Sequence, residues 1–145
     1  MIKTISIIGG KGKMGSTFAS AFKEKGHDVI ISSRSTDIKP IDAAKQGDLI
    51  IISVPISATE QVIREISPFA RKDAILSDFT SVKIKPSKLM KKYSKANVVS
   101  SHPLFGPGVD INGQTIVLCS VRGSKLSELK QLYQSIGLKA GEMTP

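Results

Sequence analysis

Ile5-Ser6-Ile7-Ile8-Gly9-Gly10-Lys11-Gly12-Lys13-Met14-Gly15 is the stretch whose reading decides the fold. Ile5 to Ile8 reads as a short buried strand. Met14, Phe18, Ala21 and Phe22 follow at i, i+4, i+7 and i+8, the spacing of one helix face. Between them, Gly10, Gly12 and Gly15 spell G-x-G-x-x-G, and a strand before it and a helix after it are the context that gives the motif meaning. Gly10 is expected to allow a tight turn, Gly12 to let backbone approach a pyrophosphate, and Gly15 to let helix and strand pack closely. The helix start then offers free N–H groups and a positive dipole end to phosphates. This predicts a dinucleotide site built on Gly10, Gly12, Lys13, Met14 and Gly15.

Working outward, the same alternation repeats. Val29–Ile31 reads as a second strand after Gly26. Residues 34–47 are polar and hold Pro40, so they suggest a loop with a short helix. Leu49–Ile52 is a continuous apolar run, typical of a parallel strand covered on both faces. Ser57-Ala58-Thr59-Glu60 has the form of a capping box, with Val62, Ile66 and Phe69 as the apolar face of the helix it opens. Ala74–Leu76, Asn97–Ser100 and Thr115–Cys119 read as strands, and Leu138–Gly141 as a last one. Helices are expected from Pro86 to Tyr93 and along Leu126, Leu129, Leu132, Tyr133 and Ile136. Alternating strands and helices imply right-handed crossovers and an α/β, doubly wound, mostly parallel sheet.

Composition narrows the function classes. The chain has 145 residues, the length of one domain, with 40% apolar residues, ordinary for a globular protein. No apolar run reaches the roughly 18 residues of a membrane span, and no secretory signal is visible at the N-terminus. One cysteine, Cys119, can form neither an internal disulfide nor a structural zinc site, and it reads as core. No metal site is expected, and a reducing cytoplasm fits best. The net charge is +9, and no Asp or Glu occurs from Phe79 to Val109, where six lysines lie (Lys83, Lys85, Lys88, Lys91, Lys92, Lys95). A solvated helix face explains such a run; nucleic acid is set aside because aromatics are only 5%.

Ligands of such sheets sit beyond the carboxyl ends of the strands, which directs attention to five loops. After the second strand an NAD site usually carries an acidic residue, but here the chain reads Ser32-Ser33-Arg34-Ser35-Thr36, with no carboxylate until Asp37. Arg34 can pair with a 2′-phosphate, and Ser33 and Ser35 can donate to its oxygens, which favours NADP over NAD. The other reading is a surface arginine with Asp37 reaching back to the ribose. Ser53-Val54-Pro55 sits where a nicotinamide ribose would lie, although Pro55 could be only a strand stop. Asp78-Phe79-Thr80-Ser81-Val82-Lys83 follows the fourth strand, and Ser101-His102-Pro103-Leu104-Phe105-Gly106-Pro107 the fifth, so that Ser81 and His102 should meet. His27, in the turn before the second strand, reads as structural.

Together these loops resemble the prephenate/arogenate dehydrogenase family of tyrosine biosynthesis, over its N-terminal nucleotide-binding domain only. The serine loop followed by His102-Pro103-Leu104-Phe105-Gly106-Pro107 is the most specific part. The resemblance implies a Rossmann-like NAD(P)-binding domain over 1–145, and a small-molecule substrate, prephenate or arogenate. It implies that His102 takes the proton of the substrate's ring hydroxyl as hydride passes to NADP and CO2 departs. Ser81 would hydrogen-bond His102 and that hydroxyl. The family's helical domain, which carries most of the homodimer interface and much of the substrate cleft, is expected to be absent from this chain. The lysine-rich helix is expected to face that domain or a partner chain supplying it. Two other readings compete: a small NADP-dependent oxidoreductase of the coenzyme F420-dependent type, and a non-catalytic NADP-binding regulatory module.

Overall fold

A computed structural model describes residues 1–81 and 84–144. In chain order the elements are β1 (Thr4–Ile8), α1 (Lys13–Glu24), β2 (Asp28–Ser32), α2 (Pro40–Gln46), β3 (Leu49–Ile52), α3 (Ile56–Ile66), a 3₁₀ turn (Ser67–Phe69), β4 (Ile75–Asp78), α4 (Ile84–Tyr93), β5 (Asn97–Pro103), β6 (Thr115–Arg122), α5 (Leu126–Ser135) and β7 (Lys139–Glu142). The strands form one sheet in the order β2-β1-β3-β4-β5-β6-β7. No helix among the described residues is long and apolar enough to cross a membrane.

β3 shows why the sheet must be covered twice. Leu49, Ile50, Ile51 and Ile52 are all fully buried, yet side chains along a strand alternate between faces. Leu49 and Ile51 join the core under α1 and α5, while Ile50 and Ile52 join the core under α2, α3 and α4. Phe18, Phe22 and Tyr133 fill the first core and are fully buried. Each contributes about 1.5–3 kcal/mol by leaving water.

The sheet is parallel from β2 to β5, and then reverses. β5 and β6 pair antiparallel, with His102 opposite Val117, and β7 runs parallel to β6. A parallel return requires a crossover of a dozen or more residues, usually a helix. Residues 104–114 hold no helix and contain Gly106, Pro107, Gly108 and Gly113, so the chain turns back beside β5 instead. Antiparallel pairing also lengthens β5, which continues through His102 to Pro103 rather than ending at Ser100.

Two other local expectations fail. Ser57 caps nothing: α3 begins at Ile56 with Pro55 as its N-cap, so Ser57 is already helical. Proline's fixed φ suits a helix entry, and the Thr59 hydroxyl donates to the Pro55 carbonyl at 3.1 Å. Glu60 turns outward to pair with Lys85 of α4 at 2.7 Å. Phe69 lies beyond α3, in the 3₁₀ turn, because Pro68 cannot continue the α-helical hydrogen bonding. The lysine-rich helix α4 starts at Ile84, ahead of Pro86, which its first turn tolerates. Lys83 falls outside the described residues. The end of α4 is closed by Arg122 of β6, whose guanidinium donates to the Lys91, Ser94 and Ala96 carbonyls at 2.6–2.9 Å.

Candidate functional site

The chain leaves β1 for β2 on one side and reaches β3 on the other, so the loops after β1 and β3 diverge over a crevice at this switch point. The glycine loop closes it from one side. The left-handed residue is Gly9, at φ +88°, not Gly10 as the motif alone suggests. A Cβ on Gly9 would lie 2.2 Å from the Ser53 carbonyl oxygen. Gly10 is required for a different reason: its Cβ would strike the Ile31 side chain at 2.8 Å. A Cβ on Gly15 would meet the Gly10 backbone at 2.8 Å, so the close packing is between helix and loop rather than between helix and strand as the motif suggests. Gly12 alone of the four faces space, with only the Gly9 oxygen at 3.4 Å.

Gly12 is also the N-cap of α1, with no side chain capping the helix and no acidic residue in its first turn. The first-turn N–H groups of Lys13, Met14 and Gly15 have no carbonyl a turn earlier to accept them. An anion at this point meets those donors and the positive end of the helix dipole. The Ser16 hydroxyl donates to the Gly10 carbonyl at 2.9 Å and braces the loop from behind.

Two adjoining hollows make one groove along the strand ends. The first, about 500 Å³, is lined by Gly9, Lys11, Gly12, Ser33, Arg34 and Ser53 among others. The second, about 360 Å³, is lined by Lys13, Met14, Phe79 and Pro107, and shares Gly12, Ser53, Val54 and Pro55 with the first. Thus Gly12, Lys13, Met14, Ser33, Arg34, Ser53, Val54 and Pro55 are brought together. Gly10 and Gly15 lie buried beneath the groove and shape it. Ser35 lines neither hollow, and its hydroxyl lies beside that of Ser33, which lines the first.

At the end of β2 the short loop holds itself in shape. The Ser33 N–H donates to the Thr36 hydroxyl at 2.8 Å, and Thr36 donates on to backbone carbonyls. The Ser33 and Ser35 hydroxyls are 3.1 Å apart. The Lys39 ammonium donates to the Arg34 carbonyl at 2.9 Å. Among the described residues the Arg34 guanidinium has neither an ion-pair nor a hydrogen-bond partner, which leaves it available to an anion.

The serine and histidine lie outside both hollows, on the segments that contribute Phe79 and Pro107 to the second. Ser81 is exposed and His102 half-buried, at the same end of neighbouring strands. No hydrogen bond joins them among the described residues. What links their segments is a buried polar layer beneath. The Asp78 carboxylate accepts hydrogen bonds from the Thr80 hydroxyl and from the Ser101 N–H, and the Ser77 and Ser101 hydroxyls are 3.0 Å apart. Tyr133 packs near this layer with its hydroxyl buried and, among the described residues, without a hydrogen-bond partner, and burial pushes its phenol up.

Reading the sequence missed the aromatic seam that positions these loops. Phe18 of α1 lies 4.5 Å from Phe79 and 6.0 Å from Phe105, centroid to centroid. These contacts draw the loops after β4 and β5 onto the helix that follows the glycine loop. Two phenylalanines flanking the strand ends were the available signal, but nothing local said that they meet. Elsewhere, His27 packs edge-on against Phe22 and Cys119 is buried in β6.

Comparison with known proteins agrees with this architecture. Residues 23–137 match the model of the family described as prephenate dehydrogenase, nucleotide-binding domain, a span that begins past the glycine loop and takes in Ser81 and His102. A probable arogenate/prephenate dehydrogenase of Methanocaldococcus jannaschii is 37% identical over 142 residues, covering 86% of this chain and 32% of that protein. The chain therefore spans about a third of the length of that curated relative. Among solved structures, Synechocystis arogenate dehydrogenase superposes with a TM-score of 0.82 at 19% identity, covering 98% of this chain and 60% of the other. Aquifex aeolicus prephenate dehydrogenase, solved with hydroxyphenyl propionate and NAD+, gives 0.78 at 20% identity, covering 100% and 61%. At those identities the structural likeness speaks for the fold, and the sequence matches speak for descent. On the sequence matches the chain belongs to the prephenate dehydrogenase family, and corresponds to its nucleotide-binding domain.

Proposed function

We propose that the chain binds NADP along the groove and, together with a substrate-binding domain, oxidises prephenate or arogenate. With prephenate the product would be 4-hydroxyphenylpyruvate. The observation that carries the cofactor reading is Arg34: a guanidinium without an internal partner, flanked by two hydroxyls, where an NAD site would hold a carboxylate. Asp37 is exposed and does not line the groove, so it offers the ribose no acceptor there. The residues present fit a dinucleotide. Gly12 leaves open space at the helix start, and the first-turn N–H groups face it.

Gly12, Lys13, Met14 and Gly15 would hold the pyrophosphate, Ser33, Arg34 and Ser35 the 2′-phosphate, and Ser53, Val54 and Pro55 the inner ribose. When bound, the oxidised nicotinamide supplies the hydride acceptor. His102 would accept the proton of the substrate's ring hydroxyl as the carbon bearing it is oxidised. Ser81 would hydrogen-bond that hydroxyl and the imidazole. Loss of CO2 then completes the aromatic ring. A domain that binds NADP without turning over substrate would share the groove and lack any use for His102.

Calorimetric titration of the chain with NADP and with NAD tests the cofactor reading. NADP is expected to bind more tightly; equal affinities would overturn it.

A further inference from the structure

We propose that Lys11 is the second cation of the 2′-phosphate site, and with Arg34 sets the preference for NADP. The proposal rests on the reading of Arg34 given above. Lys11 sits in the glycine loop, between the two glycines nearest the pyrophosphate position. Its side chain nevertheless reaches across the mouth of the groove, where the ammonium lies 3.3 Å from the Ser35 hydroxyl, 24 residues away. Ser35 is in turn 3.1 Å from the Ser33 hydroxyl, so the ammonium and both hydroxyls converge on the loop that carries Arg34. Lys11 and Arg34 both line the first hollow.

The charge balance favours an anion at this point. Among the described residues neither Lys11 nor Arg34 forms an ion pair. The one nearby carboxylate in the loop, Asp37, is bonded to neither. A phosphate monoester carries a charge of about −1.5 to −2 at neutral pH and offers three acceptor oxygens. One arginine and two hydroxyls leave such a charge under-compensated, and a lysine opposite the arginine completes the set. Holding an exposed lysine in one place costs rotamer freedom, which a single long bond to a neutral hydroxyl offsets poorly and a bridge to a dianion offsets well. Lys39, bonded to the Arg34 carbonyl, braces the loop rather than facing the ligand.

The test compares two probes that differ only in the 2′-phosphate. The chain is titrated calorimetrically with 2′,5′-ADP and with 5′-AMP, before and after Lys11→Met, which keeps an unbranched side chain and removes the charge. The unmodified chain should prefer 2′,5′-ADP. Lys11→Met should weaken 2′,5′-ADP about tenfold, the low end for a charge-assisted bond, and leave 5′-AMP unchanged. Lys11→Arg should retain most of the preference. If Lys11→Met weakens both probes equally, Lys11 serves the part they share, and the proposal is wrong. If it weakens neither, Lys11 is a solvated side chain, and the proposal is again wrong while Arg34 stands. An unmodified chain that binds both probes alike would remove the NADP reading and this proposal with it.

Discussion

The carboxylate of Asp78 accepts a hydrogen bond from the backbone N–H of Ser101 at 3.4 Å, at a place where strand pairing has already ended. The β4–β5 register runs only from Ile75↔Asn97 to Leu76↔Val98, next to the irregularity at Val98/Val99 in β5. Beyond it a side chain takes up the role of a strand carbonyl. The same carboxylate holds Thr80, so one buried acid spans the segments leading to Ser81 and to His102. Replacing Asp78 with Ala should destabilise the fold by about 2–4 kcal/mol, because it removes a buried acceptor that joins two segments. Denaturant titration measures the loss; a change below about 0.5 kcal/mol would show that the layer is not under load.

Arg34→Ala should weaken NADP by about 1.5–3 kcal/mol, the range for hydrogen bonds to charged groups, and leave NAD nearly unchanged. Calorimetry with the two cofactors gives both numbers. A parallel loss for NAD would place Arg34 against the adenine rather than the phosphate.

Gly9 and Gly12 should fail in opposite ways. Gly9→Ala puts a Cβ into the Ser53 carbonyl and strains a left-handed residue, so the cost in stability should exceed the roughly 1–3 kcal/mol of backbone strain alone. Gly12→Val should leave the melting temperature close to the original and abolish nucleotide binding, because its side chain fills the groove. Retained binding would show that the nucleotide does not use this loop.

His102→Asn should leave NADP affinity unchanged in the chain alone. In a fusion to the remainder of the Methanocaldococcus relative it should lower kcat by about 10²–10⁴-fold, the range for a lost general base. Ser81→Ala should lower it less. If His102→Asn loses NADP instead, His102 is a cofactor contact.

Acid should weaken the sheet end opposite the groove through Asp48. Burial alone would raise Asp48, but the Thr4 and Lys3 N–H groups and the Arg71 guanidinium, 2.6 Å away, outweigh it and hold its carboxyl below the usual range. A carboxyl depressed in the folded state stabilises above its unfolded pKa of about 3.9 and loses that contribution as pH falls through the folded value. Thermal melts of the protein and of Asp48→Asn should therefore differ at pH 7, with the difference shrinking as pH falls below about 4. A gap that persists at low pH would mean that Asp48 acts by shape alone.

Much of the fold was legible because its signals are local. A glycine loop between a strand and a helix, and the run Leu49–Ile52, each declare themselves within a dozen residues. The reversal at β6 is not local; it follows from what residues 104–114 fail to form, and it decides that His102 lies within a strand. The groove lining was readable from the motif and from the loop order. Lys11 beside Ser35 and Asp78 beneath Ser101 were not, because each pair is more than 20 residues apart and no periodicity links its members. The capping-box expectation shows the converse limit: a pattern of residue types says nothing of phase, and Pro55 shifted the helix start by enough to empty it.

The aromatic seam has a consequence for how substitutions would propagate. Phe18 touches Phe79 on one strand's loop and Phe105 on the next, while its own helix begins at the glycine loop. Three segments that, on the reading proposed above, would bear on different parts of a nucleotide and its substrate therefore share one buried ring. Trimming that ring would not touch either ligand. It would let the helix after the glycine loop and the histidine-bearing strand drift independently, so that binding and turnover, which Arg34→Ala and His102→Asn are expected to affect separately, would decline together.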